Sequence, residues 1–447
     1  MLEILQEVVD WGAPVILPII IAIFALILGA GFRKAFTSGL TVGIGFIGLN
    51  LITGLLGDTL GEAAQTMVRR FGLSLTTLDI GWPAASAISY GTILGISAIP
   101  IGVGINIALL LFGLTKTLNI DIWNFWHAAF IGGLIFGASN SFALAAFSMV
   151  AYQTMLYFLG DLSAPTLKKY YNFPNITFPH GTSAPGYLVA LPLNWIFDRI
   201  PGFNKLKANP ETIQQRFGIF GETSVMGLII GLVVGALAGY DVGGVLNLGV
   251  QTAAIMILLP KMVSVLMEGL TPVSDAANKF IKKRFPGREL YIGMDAALAV
   301  GDQAVLASSL LMIPITLLLA IVLPGNETLP FGDFSTIPFA VCLMVPLFKG
   351  NIVRSVVGGS IYMTTILYIT SWIAPLVTQM AENAQFDIGG ASSITSLIEG
   401  GLWPTLIFVL GARYLPWVIS GVILIISLGG LYYLNKVRAT KSSLNTK

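Results

Sequence analysis

Apolar runs long enough to cross hydrocarbon recur along this chain, and they constrain its fold more than any other feature. A helix needs roughly 20 apolar residues to span a bilayer, and such runs, some of them short, lie near 13–31, 37–57, 91–114, 125–148, 184–198, 223–243, 245–267, 305–323, 335–348, 353–375 and 413–434. At that depth every backbone N–H and C=O must be satisfied within the protein, which leaves helices as the spanning element for runs of this length. The expectation is an all-α polytopic membrane protein of about ten to twelve transmembrane helices. Composition agrees: 55% of the residues are hydrophobic and only 10% charged, against about a quarter in a soluble domain. A formal net charge of +2, with basic residues confined to short loops and the tail, excludes a nucleic-acid-binding face.

Some segments between the runs are of another kind. Leu60–Phe71 and Val273–Phe285 mix charged and apolar residues at helical spacing and predict interfacial helices. Leu78–Tyr90 and Tyr291–Val305 are apolar but carry Asp, Ser, Gly and Pro, which predicts irregular backbone, re-entrant hairpins held at membrane depth by surrounding protein. These inserts belong to an internal duplication with a separation of about 210–216 residues. Leu40–Gly57 aligns with Val250–Met267, Asp79-Ile-Gly-Trp-Pro-Ala-Ala-Ser with Asp295-Ala-Ala-Leu-Ala-Val-Gly-Asp, Ser97-Ala-Ile-Pro-Ile with Leu311-Met-Ile-Pro-Ile315, and Asp121 with Asp333. The halves this predicts are 1–220 and 221–447. Duplications of this sort build transporters whose site lies at the repeat interface, lined by broken helices in corresponding positions.

A charge held in hydrocarbon is expensive, so ionisable residues in the broken segments are the candidates for solute contact. Asp79 and Asp295 occupy matching positions, with Asp302 seven residues beyond the second. Carboxylates accept hydrogen bonds from neighbouring hydroxyls, which suits a sugar or polyol. In Asp121-Ile-Trp-Asn-Phe-Trp-His127 a helix would present Trp123, Asn124 and His127 on one side, an aromatic face beside two polar groups. His180 sits in a Pro- and Gly-bounded loop, and Glu222 precedes an apolar run, where solute binding and stabilisation of a helix N-terminus explain it equally well. Asn326, Glu327 and Asp333 lie in a polar loop that either lines an entrance or ends two spans. The lone Cys342 excludes an intramolecular disulfide and reads as a small packed residue. Two histidines without metal-motif spacing give no case for a metal, and no cofactor motif is evident. Walker A, nucleophile-elbow and HExxH patterns are absent, so the chain is not expected to be catalytic alone.

Lys279, Lys282, Lys283, Arg284 and Arg288, together with Lys205, Lys207 and Arg216 and the tail Lys436, Arg438, Lys441 and Lys447, predict cytoplasmic loops and a cytoplasmic C-terminus. Arg33/Lys34 and Arg69/Arg70 fit no simple alternation. The N-terminal apolar run reads as a retained anchor, because Met1–Trp11 carry three acidic side chains and no Lys or Arg.

In joint order, several motifs resemble the membrane-embedded IIC component of the galactitol-type phosphotransferase system, in the ascorbate–galactitol superfamily. They are Gly43-Ile-Gly-Phe-Ile-Gly48, Asp79-Ile-Gly-Trp-Pro83, Asp121-Ile-Trp-Asn-Phe-Trp-His127, Pro179-His-Gly-Thr-Ser-Ala184, Phe217-Gly-Ile-Phe-Gly-Glu222, Gly269-Leu-Thr-Pro272, Leu323-Pro-Gly-Asn326 and Leu329-Pro-Phe-Gly-Asp333. The resemblance implies uptake of a polyol or related sugar across the bacterial cytoplasmic (inner) membrane, with phosphorylation by a phosphocysteine on a separate IIB protein charged by IIA. It also implies a homodimer with inverted repeats, a moving core domain, a static dimerisation domain and an elevator motion. By that analogy Asp79, Asn124, His127, His180, Glu222 and Asp295 line the substrate; Trp82 and Asp302 join them as candidates, and the basic loop from Lys279 to Arg288 becomes a docking surface for IIB. Two departures stand out: Asp302 takes the place of a histidine, and Trp82-Pro-Ala-Ala-Ser86 is poorer in glycine than the family pattern. Two other readings stay open. An ion-coupled secondary carbohydrate transporter would use Asp295 or Asp302 for coupling, and a membrane-embedded enzyme would turn over substrate by itself.

Overall fold

A computed structural model describes residues 13–27, 29–56, 58–59, 62–71, 75–90, 92–119, 121–203, 208, 223–284, 290–330, 332–384 and 393–437. The chain is mostly helical. Its helices are α1 (Ala13–Ile27), α2 (Phe32–Leu56), α3 (Glu62–Arg70), α4 (Gly81–Tyr90), α5 (Ile93–Leu111), α6 (Trp126–Ser139), α7 (Phe142–Tyr170), α8 (Ala184–Phe197), α9 (Thr223–Ala238), α10 (Val242–Arg284), α11 (Ala297–Val300), α12 (Gln303–Val322), α13 (Ile337–Val341), α14 (Ile352–Asn383), α15 (Leu397–Gly401), α16 (Trp403–Tyr414) and α17 (Val418–Tyr432). Four stretches are long and apolar enough to cross a membrane: α7, α12, α14 and Val418–Val437. Shorter apolar helices include Pro100–Leu111, Trp126–Ser139, Ala184–Phe197, Gly227–Ala238 and Val242–Ile255. The molecule is a multi-pass membrane protein. Its last span is peripheral, with 17% of its apolar window buried against 56–67% in the other three.

Local chemistry redraws several predicted boundaries. The run at 125–148 divides, because Asn140 takes a left-handed conformation (φ 50°) that ends α6 and the Ser141 hydroxyl accepts the Leu144 N–H to start α7. Val273–Phe285 is not a separate interfacial helix, since Val273–Arg284 continues the 43-residue α10. The segment 335–348 is helical only over α13 and the 3-10 turn Phe334–Thr336 that leads into it, and then passes through turns to Gly350. Helix α3 falls within the interfacial segment expected at Leu60–Phe71 and ends on Arg69 and Arg70.

The all-α expectation is corrected by two small parallel sheets that the apolar pattern conceals. In one, β1 (Thr77–Asp79) lies between β5 (Thr328–Leu329) and β6 (Ser393–Thr395), with Thr77 opposite both Thr328 and Ser393. In the other, β4 (Tyr291–Gly293) lies between β2 (Thr117–Asn119) and β3 (Ile176–Thr177), with Asn119 opposite Gly293 and Gly293 opposite Thr177. Each central strand comes from one half of the chain and both of its neighbours from the other half. The bonds correspond: Thr77 N–H reaches Glu327 O at 3.0 Å where Tyr291 N–H reaches Lys116 O at 2.7 Å, and Ile80 N–H reaches Thr395 O at 2.8 Å where Met294 N–H reaches Thr177 O at 2.9 Å. Backbone polar groups in the broken segments thus satisfy one another, as a buried position without water requires.

Helices α2 and α10 run antiparallel in close contact. A Cβ at Gly269 would stand 2.8 Å from Val42 N, and one at Gly48 only 2.2 Å from the Met262 sulfur. This packing lays the α1–α2 turn, with Lys34, against Glu268–Ala276 of α10 across a cavity of about 430 Å³. Arg33 and Lys34 therefore lie near the end of α10 that carries Lys279, Lys282, Lys283 and Arg284.

Candidate functional site

The carboxyl ends of the three parallel strands of the β2–β4–β3 sheet deliver Asn119, Asp295 and His180 toward one region. His180 follows β3, and Asp295 follows β4 by two residues. The Asp295 carboxylate accepts the Ala297 N–H through Oδ1 at 2.7 Å, and the same Oδ1 stands 3.7 Å from His180 Nε2. The His180 ring lies edge-on to His127, with centroids 4.4 Å apart, and is stacked 5.9 Å from Phe339. His127, in the first turn of α6, places Nδ1 3.0 Å from Glu399 Oε1, though not aligned as a hydrogen bond. The other carboxylate oxygen, Glu399 Oε2, accepts from the Thr182 hydroxyl at 3.0 Å. The buried Tyr152 and Tyr362 side chains lie near the same carboxylate.

Four ionisable side chains from distant parts of the chain therefore form one continuous row, Asp295–His180–His127–Glu399. All four are buried, His127 and Glu399 to within 1% of complete. Both His127 nitrogens, Glu399 Oε1 and the Tyr362 hydroxyl have no aligned hydrogen-bond partner among the described residues. A buried polar atom in that state costs about 1–3 kcal/mol, and more when charged, so the row is chemically unfinished. It offers acceptors and donors together, which is what a hydroxylated solute needs. Gly181 makes the arrangement possible, since a Cβ there would lie 2.4 Å from His127 Cγ and 2.7 Å from the Tyr152 oxygen. No cluster of three or more His, Cys, Asp or Glu side chains suited to a metal ion occurs among the described residues.

The remaining candidates fall elsewhere. Asp79 Oδ1 accepts the N–H groups of Gly81 (3.1 Å) and Leu397 (2.8 Å), and its Oδ2 accepts that of Asp333 (2.8 Å). Asp333 in turn accepts from Trp82 N–H (2.7 Å), Ile398 N–H (3.1 Å) and the hydroxyls of Thr336 (2.9 Å) and Ser396 (2.7 Å). These two carboxylates tie the first sheet together. Trp82 packs there, against the cluster that includes Phe130 and Ile394. Asp302 caps α12, accepting from Ala304 and Val305 N–H at 3.0 and 3.1 Å. Asn124 donates to Asn119 Oδ1 at 3.0 Å, one turn before His127. Asn326 braces its own loop through Ala320 O and Thr328 O. Cys342 is buried, with its backbone carbonyl held by the Tyr171 hydroxyl. Glu222 and Arg288 lie outside the described residues, and of the docking candidates Lys279, Lys282, Lys283 and Arg284 only the helical backbone is described.

Sequence reasoning missed Glu399. The available signal was a lone acid in Ser396-Leu-Ile-Glu-Gly-Gly401, flanked by apolar residues and glycines.

Comparison with known proteins bears on this architecture. Residues 7–391 match the family EIIC-GAT, described as the PTS system sugar-specific permease component. The chain is 40% identical over 400 residues to the PTS system galactitol-specific EIIC component of Escherichia coli (strain K12), covering 89% of this chain and 88% of that protein. The corresponding protein of Escherichia coli O157:H7 matches to the same extent. A putative permease IIC component of Escherichia coli (strain K12) is 35% identical over 394 residues, covering 88% and 90%. With a family match over most of its length and relatives of this identity and coverage, the chain belongs to the EIIC-GAT family of sugar-specific permease components of the phosphotransferase system.

Proposed function

We propose that the row Asp295–His180–His127–Glu399 binds a neutral polyol of the galactitol class, and that this chain carries it across the cytoplasmic membrane for phosphorylation by a IIB partner, itself charged by IIA. The observation that carries the reading is the unfinished hydrogen bonding of His127 and Glu399 at full burial. In a membrane interior such atoms demand a partner, and a polyol hydroxyl both donates and accepts. A carboxylate at each end of the row favours a neutral ligand over an acidic sugar, since an anion would meet like charge in a poorly screened setting. Capture as a phosphate ester then prevents return.

The same reading takes the molecule as two repeats, 1–220 and 221–447, related by the reciprocal strand exchange. Asp79 and Asp295 make the same local bond, carboxylate Oδ1 to the N–H two residues on. In the first copy two further backbone N–H groups, of Leu397 and Asp333, bind the carboxylate, and in the second the same Oδ1 also faces His180 Nε2 at 3.7 Å. Elevator movement of a core domain, a homodimer and docking of IIB on Lys279, Lys282, Lys283, Arg284 and Arg288 complete the proposal, on family grounds and on the charge of that helix end. Light scattering of the purified protein should give twice the chain mass, and a monomer would remove the dimer.

The principal test is titration of the purified chain with a polyol panel, for wild type and for Asp295→Asn. Specific binding of galactitol or a close relative, weakened about tenfold or more by the substitution, supports the site. Tight binding unaffected by it removes Asp295. Uptake that persists without IIA and IIB would select an ion-coupled transporter instead.

A further inference from the structure

Beside the acid–histidine row, and outside it, lies a second set of unfinished polar groups made entirely of amides. Asn119 ends strand β2, directly opposite Gly293 of β4, so it leaves the same sheet edge as Asp295. Its backbone N–H is held by Asn106 Oδ1 at 2.9 Å, and its side-chain Oδ1 accepts from Asn124 Nδ2 at 3.0 Å. That leaves Asn119 Nδ2 and Asn124 Oδ1 buried without partners, and Gln153 of α7 has neither amide atom satisfied at 0% exposure. Tyr157, one turn along α7, brings its hydroxyl near Asn119 and Gln153 without an aligned hydrogen bond to either, and donates to Gly102 O at 3.3 Å. Exchanging N and O in both asparagines changes which atoms are left over but not their number.

The unmet groups are two amide nitrogens and two amide oxygens. A hydroxyl uses one acceptor and can use one donor, so this set serves two hydroxyls with no charge involved. Asn124 precedes His127 by three residues, about 5–6 Å along the helix axis. The amide set is therefore displaced from the charged row by a few carbon atoms of an open-chain ligand.

We propose that Asn119, Asn124 and Gln153 form a distal subsite that receives the far hydroxyls of an extended polyol, so that the site measures chain length: the charged row holds one end and the amides the other. This inference rests on the polyol site described above. The amides reward only a ligand long enough to reach them, whereas the charged row acts on short and long ligands alike.

The experiment is titration of the full-length purified chain with a six-carbon polyol (galactitol) and a four-carbon polyol (erythritol), for wild type, Gln153→Met, Asn124→Leu and Glu399→Gln. Wild type should prefer the longer ligand. Gln153→Met, which keeps volume but removes both amide atoms, should weaken galactitol about tenfold and leave erythritol unchanged, collapsing the preference. Asn124→Leu gives an independent reading should the first variant fold poorly. Glu399→Gln should weaken both ligands by a similar factor. If Gln153→Met and Asn124→Leu retain the wild-type ratio while Glu399→Gln weakens both ligands, the amides hold only water and the length-measuring subsite is wrong. If Glu399→Gln changes neither ligand, the charged row itself is wrong.

Discussion

Glu399 accepts from Thr182 through Oε2 and leaves Oε1, 3.0 Å from His127 Nδ1, without an aligned donor, and a carboxamide cannot offer an acceptor at both positions. Glu399→Gln should therefore weaken galactitol binding ten- to a hundredfold, about 1.5–3 kcal/mol for a charged hydrogen bond, with little change in melting temperature; calorimetric titration beside a melting curve checks it. Gly181→Ala drives a methyl into the His127 ring and the Tyr152 hydroxyl. It should cost about 1–3 kcal/mol of stability through overpacking and also lower polyol affinity, both measurable on the same sample. Asp79→Asn should behave in the opposite sense. Its carboxylate receives three backbone N–H groups, so the expected loss is about 2–4 kcal/mol of stability with polyol affinity unchanged in the folded fraction. Ionisable residues in broken, apolar sequence were the legible signal for His127, His180 and Asp295. The same signal marked Asp79, because a carboxylate that caps backbone and one that turns toward a histidine look alike until their neighbours are known.

At the scale of elements, the sequence disclosed where regular helix fails but not what replaces it. Strands of two or three residues such as Thr328–Leu329 have too little length to show a period of two. Their partners lie up to 316 residues away, as Thr77 and Ser393 do in sharing a side-chain hydrogen bond of 3.1 Å. Helix ends misled wherever apolar character ran on through a cap, as at Asn140, or where charge appeared without a break, as at Val273. The segments that follow β1 and β5 meet at glycines. A Cβ on Gly332 would stand 2.3 Å from Gly81 N and 2.8 Å from Asp79 O. Because those neighbours are backbone and cannot rotate away, Gly332→Ala should destabilise the fold by about 3 kcal/mol, seen as a lower thermal midpoint in detergent.

At the scale of the molecule, membrane class and family were both readable, the first from the supply of charge and the second from motif order. The direction of the weak basic signal at Arg33 and Lys34 was not, because it depends on α2 lying against α10. The relation between the halves carries its own test. Residues 1–220 and 221–447 expressed separately should each be degraded, and co-expressed they should restore galactitol binding; a stable, binding-competent single half would refute the mutual dependence. That dependence reaches back to synthesis. Strand β1 leaves the ribosome long before β5 and β6 exist, so its exposed edges must be sheltered, by the insertion machinery or by transient contacts, until Thr395 has been made. Membrane insertion of the early spans can proceed one by one, but the central fold closes only near the end of translation, and a chain truncated before β6 has no route to it.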